Sequence, residues 1–243
     1  MKTMLIQIKL CLFFLLLTSC SLFAPQTGAT DTYTFFSRSV NTLSSVAVYY
    51  PEDHGTNTPV IYLLNGWGTD AFAWGSGMDL AQEAFDRDLF LVSLSAGSNT
   101  YTNSPTQDDK QYEDYVLEVV SKVEREYDLE LDSTARALCG ISNGGGGALF
   151  ILSEHPETFV AAGSLSGTSY TGLSDYEALV GKGIRIDVGT QDGVLSTLRW
   201  LHNKLDDEGV DHEFYEHPGD HDWTFWKKWA PKQFDFLQAL ITE

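Results

Sequence analysis

Eight short runs rich in β-branched and aromatic residues alternate with longer amphipathic stretches, and this alternation restricts the chain to very few architectures. The runs lie at 33–39, 45–50, 59–64, 88–94, 134–139, 160–165, 184–189 and 211–217. Two of them, VIYLL at 60–64 and LFLVSL at 89–94, are almost wholly apolar, as strands covered on both faces must be. Between the runs, Tyr112, Tyr115, Val116, Val119, Val120, Val123 and Tyr127 fall on one helical stripe, and Val194, Leu198, Leu201 and Leu205 on another. The stretch 222–241 predicts a last helix, broken or kinked at Pro231. The pattern predicts an α/β fold with a mainly parallel central sheet and helices on both faces. The first two runs have no helix between them, so they are expected as antiparallel edge strands. There is no internal repeat and no interdomain linker. One domain over 32–243, without a separate lid domain, is expected. The longest irregular segment, 95–110, follows a strand's C-terminal end, the edge at which open α/β sheets bind ligands.

The N-terminus reads as an address. Lys2 and Lys9 precede and border an unbroken apolar run from Leu10 to Leu17, too short to span a bilayer. Leu17-Thr18-Ser19-Cys20 is similar to a bacterial lipobox, which implies a signal peptide over 1–19 and acylation of Cys20. Ordinary secretion with cleavage a few residues later is the other reading. Residues 20–31 are expected as a tether, and the protein as an exported lipoprotein of the cell envelope, anchored to a membrane by that lipid. Loss of Lys2 and Lys9, with no acid beside them, moves the formal charge from −19 to −21. So acidic a chain argues against nucleic acid as partner, because phosphate binding needs a basic face. Of three cysteines, Cys11 leaves with the signal and Cys20 carries lipid, so Cys139 has no partner for a disulfide.

The sharpest chemical signal is Gly140-Ile141-Ser142-Asn143-Gly144, between the strand ARALC and the helical stretch GGGALFILSEH. Acyl transfer needs a hydroxyl held out on a tight strand-to-helix turn, and flanking glycines permit that backbone. Ser142 is therefore the candidate nucleophile. Among six histidines, His221 lies in the loop PGDHDW between the last strand and the last helix, and is the candidate base. His155 reads as a helix-end cap, His202 lies in a helix, His212 and His217 accompany a strand, and His54 sits in a turn. The orienting carboxylate should lie between Ser142 and His221. Asp192, after the strand in GTQDG, is preferred to Asp187 inside the strand, with Asp175 a distant third. Oxyanion donors are expected from the Asn143 N–H and the backbone around Gly66 and Trp67. Trp67, Trp74, Tyr101, Tyr170 and Trp223 fall in or near the loops expected to rim the site, where they could stack on a sugar or phenolic acyl group. No His/Cys cluster has metal-ligand spacing, and no P-loop is present. Cys139, in an apolar strand, reads as a core residue.

These blocks resemble the esterase D-like branch of the α/β-hydrolases, which includes feruloyl and acetyl-xylan esterases, S-formylglutathione hydrolases and mycolyltransferases. The resemblance runs through PVIYLLNGWG at 59–68, QYEDYVLEVVSKVEREY at 111–127, GISNGGGGALFILSEHPETF at 140–159, IDVGTQDGV at 186–194 and YEHPGDHDWTFWKKW at 215–229. It implies an α/β-hydrolase fold, a Ser142–Asp192–His221 triad, an acyl-enzyme route and no cofactor. The expected substrate is a small-molecule or glycan ester. An acyltransferase, or a non-catalytic binding protein on the same scaffold, are the rival expectations. Two departures stand out: Asn65 replaces the usual His before Gly66, and Asn143 follows the nucleophile where Met is common.

Overall fold

The computed structural model describes residues 28–168, 173 and 175–241. The signal segment, Cys20 and Tyr170 lie outside them. Among the described residues a hairpin of β1 (Gly28–Ser37) and β2 (Thr42–Pro51) comes first, followed by β3 (Val60–Leu64), α1 (Ala73–Gly77), α2 (Leu80–Arg87) and β4 (Phe90–Leu94). Then come α3 (Tyr112–Glu126), β5 (Arg136–Ile141), α4 (Asn143–Glu154), β6 (Ala161–Leu165), β7 (Gly183–Gly189), α5 (Leu195–Asp207), β8 (Glu213–His217) and α6 (Trp223–Ile241). Among the described residues, the eight strands fall on the eight runs of the sequence. The sheet order is β1-β2-β4-β3-β5-β6-β7-β8, with β2 antiparallel to both its neighbours and every other pairing parallel.

Two expectations change. The tether was expected to reach Asp31, but Gly28–Asp31 already pair with Val48–Pro51. The small and polar residues of GATD carry no strand signal of their own; a ten-residue β2 supplies them a partner. Pro231 also fails to break the last helix, which is continuous over 19 residues. Its missing N–H leaves one carbonyl unpaired in the helix, a cost offset by burial of Phe225, Trp226, Phe234 and Leu237 against the sheet.

Alternation along each strand divides the core in two. Val60, Tyr62 and Leu64 face one layer with α3, α4 and α5, while Ile61 and Leu63 face the other with α1, α2 and α6. The chain leaving β3 thus goes to one face of the sheet, and the chain leaving the adjacent β5 goes to the other. Adjacent strands whose connections diverge in this way open a crevice at their C-terminal ends. Ser142 and Gly66 both emerge there.

The β1–β2 hairpin is clamped to α3 by Glu118, which accepts from Ser37 Oγ at 2.7 Å, Ser39 Oγ at 3.0 Å and the N–H groups of Arg38 and Ser39. Burial alone would raise its carboxyl, but these donors outweigh burial and hold it below the ordinary 4.5. A depressed folded value means the stabilisation is complete above the unfolded value and is lost as pH falls through the folded one. The urea midpoint should therefore begin to drop as pH passes below about 4.5, and Glu118→Gln should be less stable at neutral pH with a shallower acid drop.

Candidate active site

Ser142 is the turn between β5 and α4, with φ 54° and ψ −120°. A non-glycine residue in that region costs on the order of 1–3 kcal/mol and persists only where its surroundings hold it. Here the Ser142 N–H donates to the Leu165 carbonyl at 2.9 Å, and its own carbonyl accepts from Thr168 at 3.0 Å and Gly146 at 3.1 Å. The turn is so tight that a Cβ on Gly140 would lie 2.1 Å from the Gly144 carbonyl oxygen, and one on Gly144 would lie 2.0 Å from that of Leu64. The two glycines of the motif are thus demanded by contact of the helix start with β5 and β3.

His221 Nε2 lies 2.8 Å from Ser142 Oγ, and its Nδ1 lies 3.0 and 3.1 Å from the two oxygens of Asp192. A carboxylate accepts, so Nδ1 carries the proton and Nε2 turns a lone pair toward the serine hydroxyl. The Asp192 side chain is wholly buried, whereas that of His221 is about one-third exposed (32%). Val194 N–H donates to Asp192 Oδ1 at 2.9 Å, and Asp220 Oδ1 accepts the His221 N–H at 2.8 Å. The loops carrying Asp192 and His221 are joined directly. Gln191 N–H donates to the Gly219 carbonyl at 2.9 Å, and Gln191 Oε1 accepts from the Gly219 N–H at 2.8 Å. Gln191 therefore fixes the spacing of Asp192 and His221, a role its sequence context gives no hint of. Trp226 meets the His221 ring edge-on with centroids 5.1 Å apart.

The third wall is the loop after β3. A Cβ on Gly66 would stand 3.6 Å from Ser142 Cβ, so this backbone borders the hydroxyl closely. Among the described residues nothing accepts from the N–H of Gly66 or of Trp67. Asn143 is the first residue of α4, where backbone N–H groups point out of the helix end. Its side chain donates to the Asn99 carbonyl at 3.0 Å, tying the Ser142 turn to the 95–110 segment. Asn65 does comparable work on the other side. Its buried Nδ2 donates to Ser93 Oγ and the Leu94 carbonyl, both at 2.8 Å, and stitches the end of β3 to the end of β4.

Several expected contributors are elsewhere. Tyr101 is fully buried, its hydroxyl donating to the carbonyls of Asn65 at 3.1 Å and Leu94 at 3.3 Å, so it supports the β3 loop from below and cannot rim the site. Trp74 is likewise buried, whereas Trp223 is half-buried and packs edge-on between Trp74 and Trp226 against the same core layer. Of the aromatic residues expected to touch substrate, Trp67 is exposed (57%), and Tyr170 lies outside the described residues. Asp187 turns away from His221. It is buried with Arg185 at 2.8 Å, His217 at 2.7 Å and Gln233 at 2.6 Å. Asp175 caps a local turn through Ala178 N–H. Burial, reinforced by the charge of Asp187, pushes the Cys139 thiol far above its ordinary range, so it is inert as a nucleophile. His155 closes α4 and bonds Glu113 at 3.0 Å. The spacing-based reading also overlooked His202, Asp206 and His212, which folding brings together.

A strained serine, a histidine within hydrogen-bond reach and a buried carboxylate behind it can perform acyl transfer. The family model described as "Putative esterase" matches residues 37–236. The chain belongs to this esterase family. It is a carboxylic-ester hydrolase. An acetyl esterase of Caldicellulosiruptor saccharolyticus is 21% identical over 226 residues, covering 76% of this chain and 85% of that protein. A solved ferulic acid esterase superposes with a TM-score of 0.78 at 21% identity, covering 89% of this chain and 99% of the other. A substrate-bound fluorophosphonate-binding serine hydrolase of Staphylococcus aureus, FphF, superposes with a TM-score of 0.77 at 19% identity, covering 87% and 98%. At these identities the two structures bear on the fold, which is that of an α/β-hydrolase.

Proposed function

We propose that the esterase works through Ser142 as nucleophile, His221 as general base and then acid, and Asp192 as the group that orients and stabilises the imidazolium. The carrying observation is the unbroken chain of contacts, 2.8 Å from Ser142 Oγ to His221 and 3.0 Å from His221 to Asp192. His221 takes the serine proton as Oγ attacks the ester carbonyl. The oxyanion so formed accepts from the Asn143 N–H and from the Gly66 and Trp67 backbone. His221 then protonates the leaving alcohol, which departs and leaves an acyl-serine. Water, deprotonated by the same imidazole, releases the acid. In a folded protein, a fluorophosphonate probe should label Ser142; an unlabelled serine would favour a binding protein on a hydrolase scaffold.

The alcohol side of the substrate is proposed to be a sugar. A cleft of about 330 Å³ adjoins the site, lined by Trp67, Ser98, Asn99, Thr100, Thr102 and Asn103 among others. Hydroxyls and amides around one exposed indole suit a polyol better than a lipid. Trp67→Ala should raise KM for an acetylated oligosaccharide about five- to tenfold while leaving kcat for p-nitrophenyl acetate within about threefold. Acetyl, butyryl and feruloyl esters and acetylated xylan, assayed with and without an acceptor alcohol, identify the acyl group and separate hydrolysis from transfer. The lipobox-like LTSC supports export as a Cys20-acylated lipoprotein, which labelled palmitate incorporation, abolished by Cys20→Ala, would test.

A further inference from the structure

His202 and Asp206 are one turn apart on α5, and His212 lies in the segment that enters β8. The fold brings one ligand-capable atom from each to within 4.8 Å of the others. His202 Nδ1 and His212 Nε2 are 2.7 Å apart, and the Asp206 carboxylate lies 3.7 Å from the His202 ring nitrogen Nε2 and 4.0 Å from His212 Nδ1.

Each ring has a defined neighbour. His212 is almost wholly buried, and its Nδ1 lies 2.8 Å from the Val210 carbonyl, which can only accept. The neutral ring therefore carries its proton on Nδ1 and turns the Nε2 lone pair toward His202. This is the arrangement in which a backbone carbonyl fixes the tautomer of a metal-binding imidazole. The His202 ring lies flat on Phe214, centroids 4.5 Å apart and planes 3° apart. Asp206 is exposed and next to the C-terminal end of α5, where the helix dipole favours a cation.

We propose that His202, Asp206 and His212 form a site for one zinc-like divalent cation, which clips α5 to the chain entering β8. The metal takes the place of the proton shared between the rings. Metal–nitrogen bonds of about 2.0–2.1 Å at a tetrahedral angle require the two nitrogens to be roughly 3.3 Å apart, so the half-buried His202 ring must slide on Phe214 by a fraction of an ångström, and the exposed Asp206 carboxylate, now nearest the other two ring nitrogens, must turn toward the metal. Two imidazoles and a carboxylate form a donor set of the zinc, copper and nickel class, with the solvent side left for water. The clip is separate from the ester chemistry: α5 begins just after the Asp192 loop, and β8 leads to the His221 loop, so the cation would brace both supports without touching either residue.

The test uses tag-free, chelator-treated protein titrated calorimetrically with zinc chloride. One site per chain with a dissociation constant in the micromolar range or below is expected. At about one hundred times that constant, the melting temperature should rise by about 5–10 °C. His202→Ala should weaken binding by about 100-fold or more and Asp206→Asn by about tenfold, while both retain wild-type turnover of p-nitrophenyl acetate. Asp206 is exposed, so its variant stays informative even if a histidine variant folds poorly. No binding tighter than about 100 µM, or binding that both variants leave unchanged, overturns the proposal.

Discussion

Ser142→Ala is expected to lower kcat for p-nitrophenyl acetate by about 10⁴–10⁶-fold while the protein stays folded. The size follows from the route. Without Oγ there is no acyl-enzyme, and His221 and Asp192 have nothing to activate except water in a site shaped for covalent attack. What remains is binding and oxyanion stabilisation, which in serine hydrolases keeps about 10³–10⁴ of rate over water. Stability should hardly move. The backbone at 142 is fixed by bonds to Leu165, Gly146 and Thr168 that do not involve the side chain. Alanine meets the same positive φ that serine already tolerates, and His221, one-third exposed, finds water in place of the hydroxyl. Circular dichroism and thermal melting matching wild type, together with lost turnover and lost fluorophosphonate labelling, are the expected set. Turnover above a few per cent of wild type in folded Ser142→Ala would place the nucleophile elsewhere.

The sheet was legible because every central strand has to bury both faces, which forces the continuous apolar runs, and because the stripe on α3 has no other use than packing. The Ser142 turn was legible for a related reason: Gly140 and Gly144 are required by backbone contacts under about 2.5 Å to any added Cβ, and such requirements surface as glycines at fixed spacing. What stayed hidden depends on where side chains point. Tyr101 lies in the segment bordering the site and still turns inward, since its hydroxyl finds two strand-end carbonyls below. Trp74 and Trp223 belong to loops and helix starts, but their apolar bulk is taken up by the α1–α6 layer. Gln191 looks like any turn residue; its role appears only when the Gly219 loop is laid against it. The His202–Asp206–His212 group spans a helix and the segment after it, so no short motif announces it.

The two aspartates on and after β7 should separate cleanly on substitution, one by rate and the other by stability. Asp192→Asn keeps the shape of the loop but presents an amide to His221 Nδ1, which can hold the wrong tautomer and turn an N–H, in place of a lone pair, toward Ser142. The corresponding loss in a serine protease triad is about 10⁴-fold in kcat, and a similar fall is expected here, with the melting temperature little changed. Asp187→Asn acts inside the strand, beneath α6. Its carboxylate is fully buried and shared by Arg185, His217 and Gln233, and the His217 ring is stacked on Trp229 with centroids 3.4 Å apart. Removing one charge of such a group leaves the Arg185 guanidinium without its buried counter-charge, a loss of about 3–5 kcal/mol. Glu213, at 3.0 Å from Arg185 but partly exposed, compensates only partly. For a chain of this size that corresponds to a melting temperature lower by roughly 6–20 °C. The fraction still folded at 25 °C should hydrolyse p-nitrophenyl acetate at close to the wild-type rate, because nothing in the Asp187 group touches Ser142 or His221. The reverse result, slow turnover in stable Asp187→Asn and unfolding without slow chemistry in Asp192→Asn, would exchange the roles of the two residues.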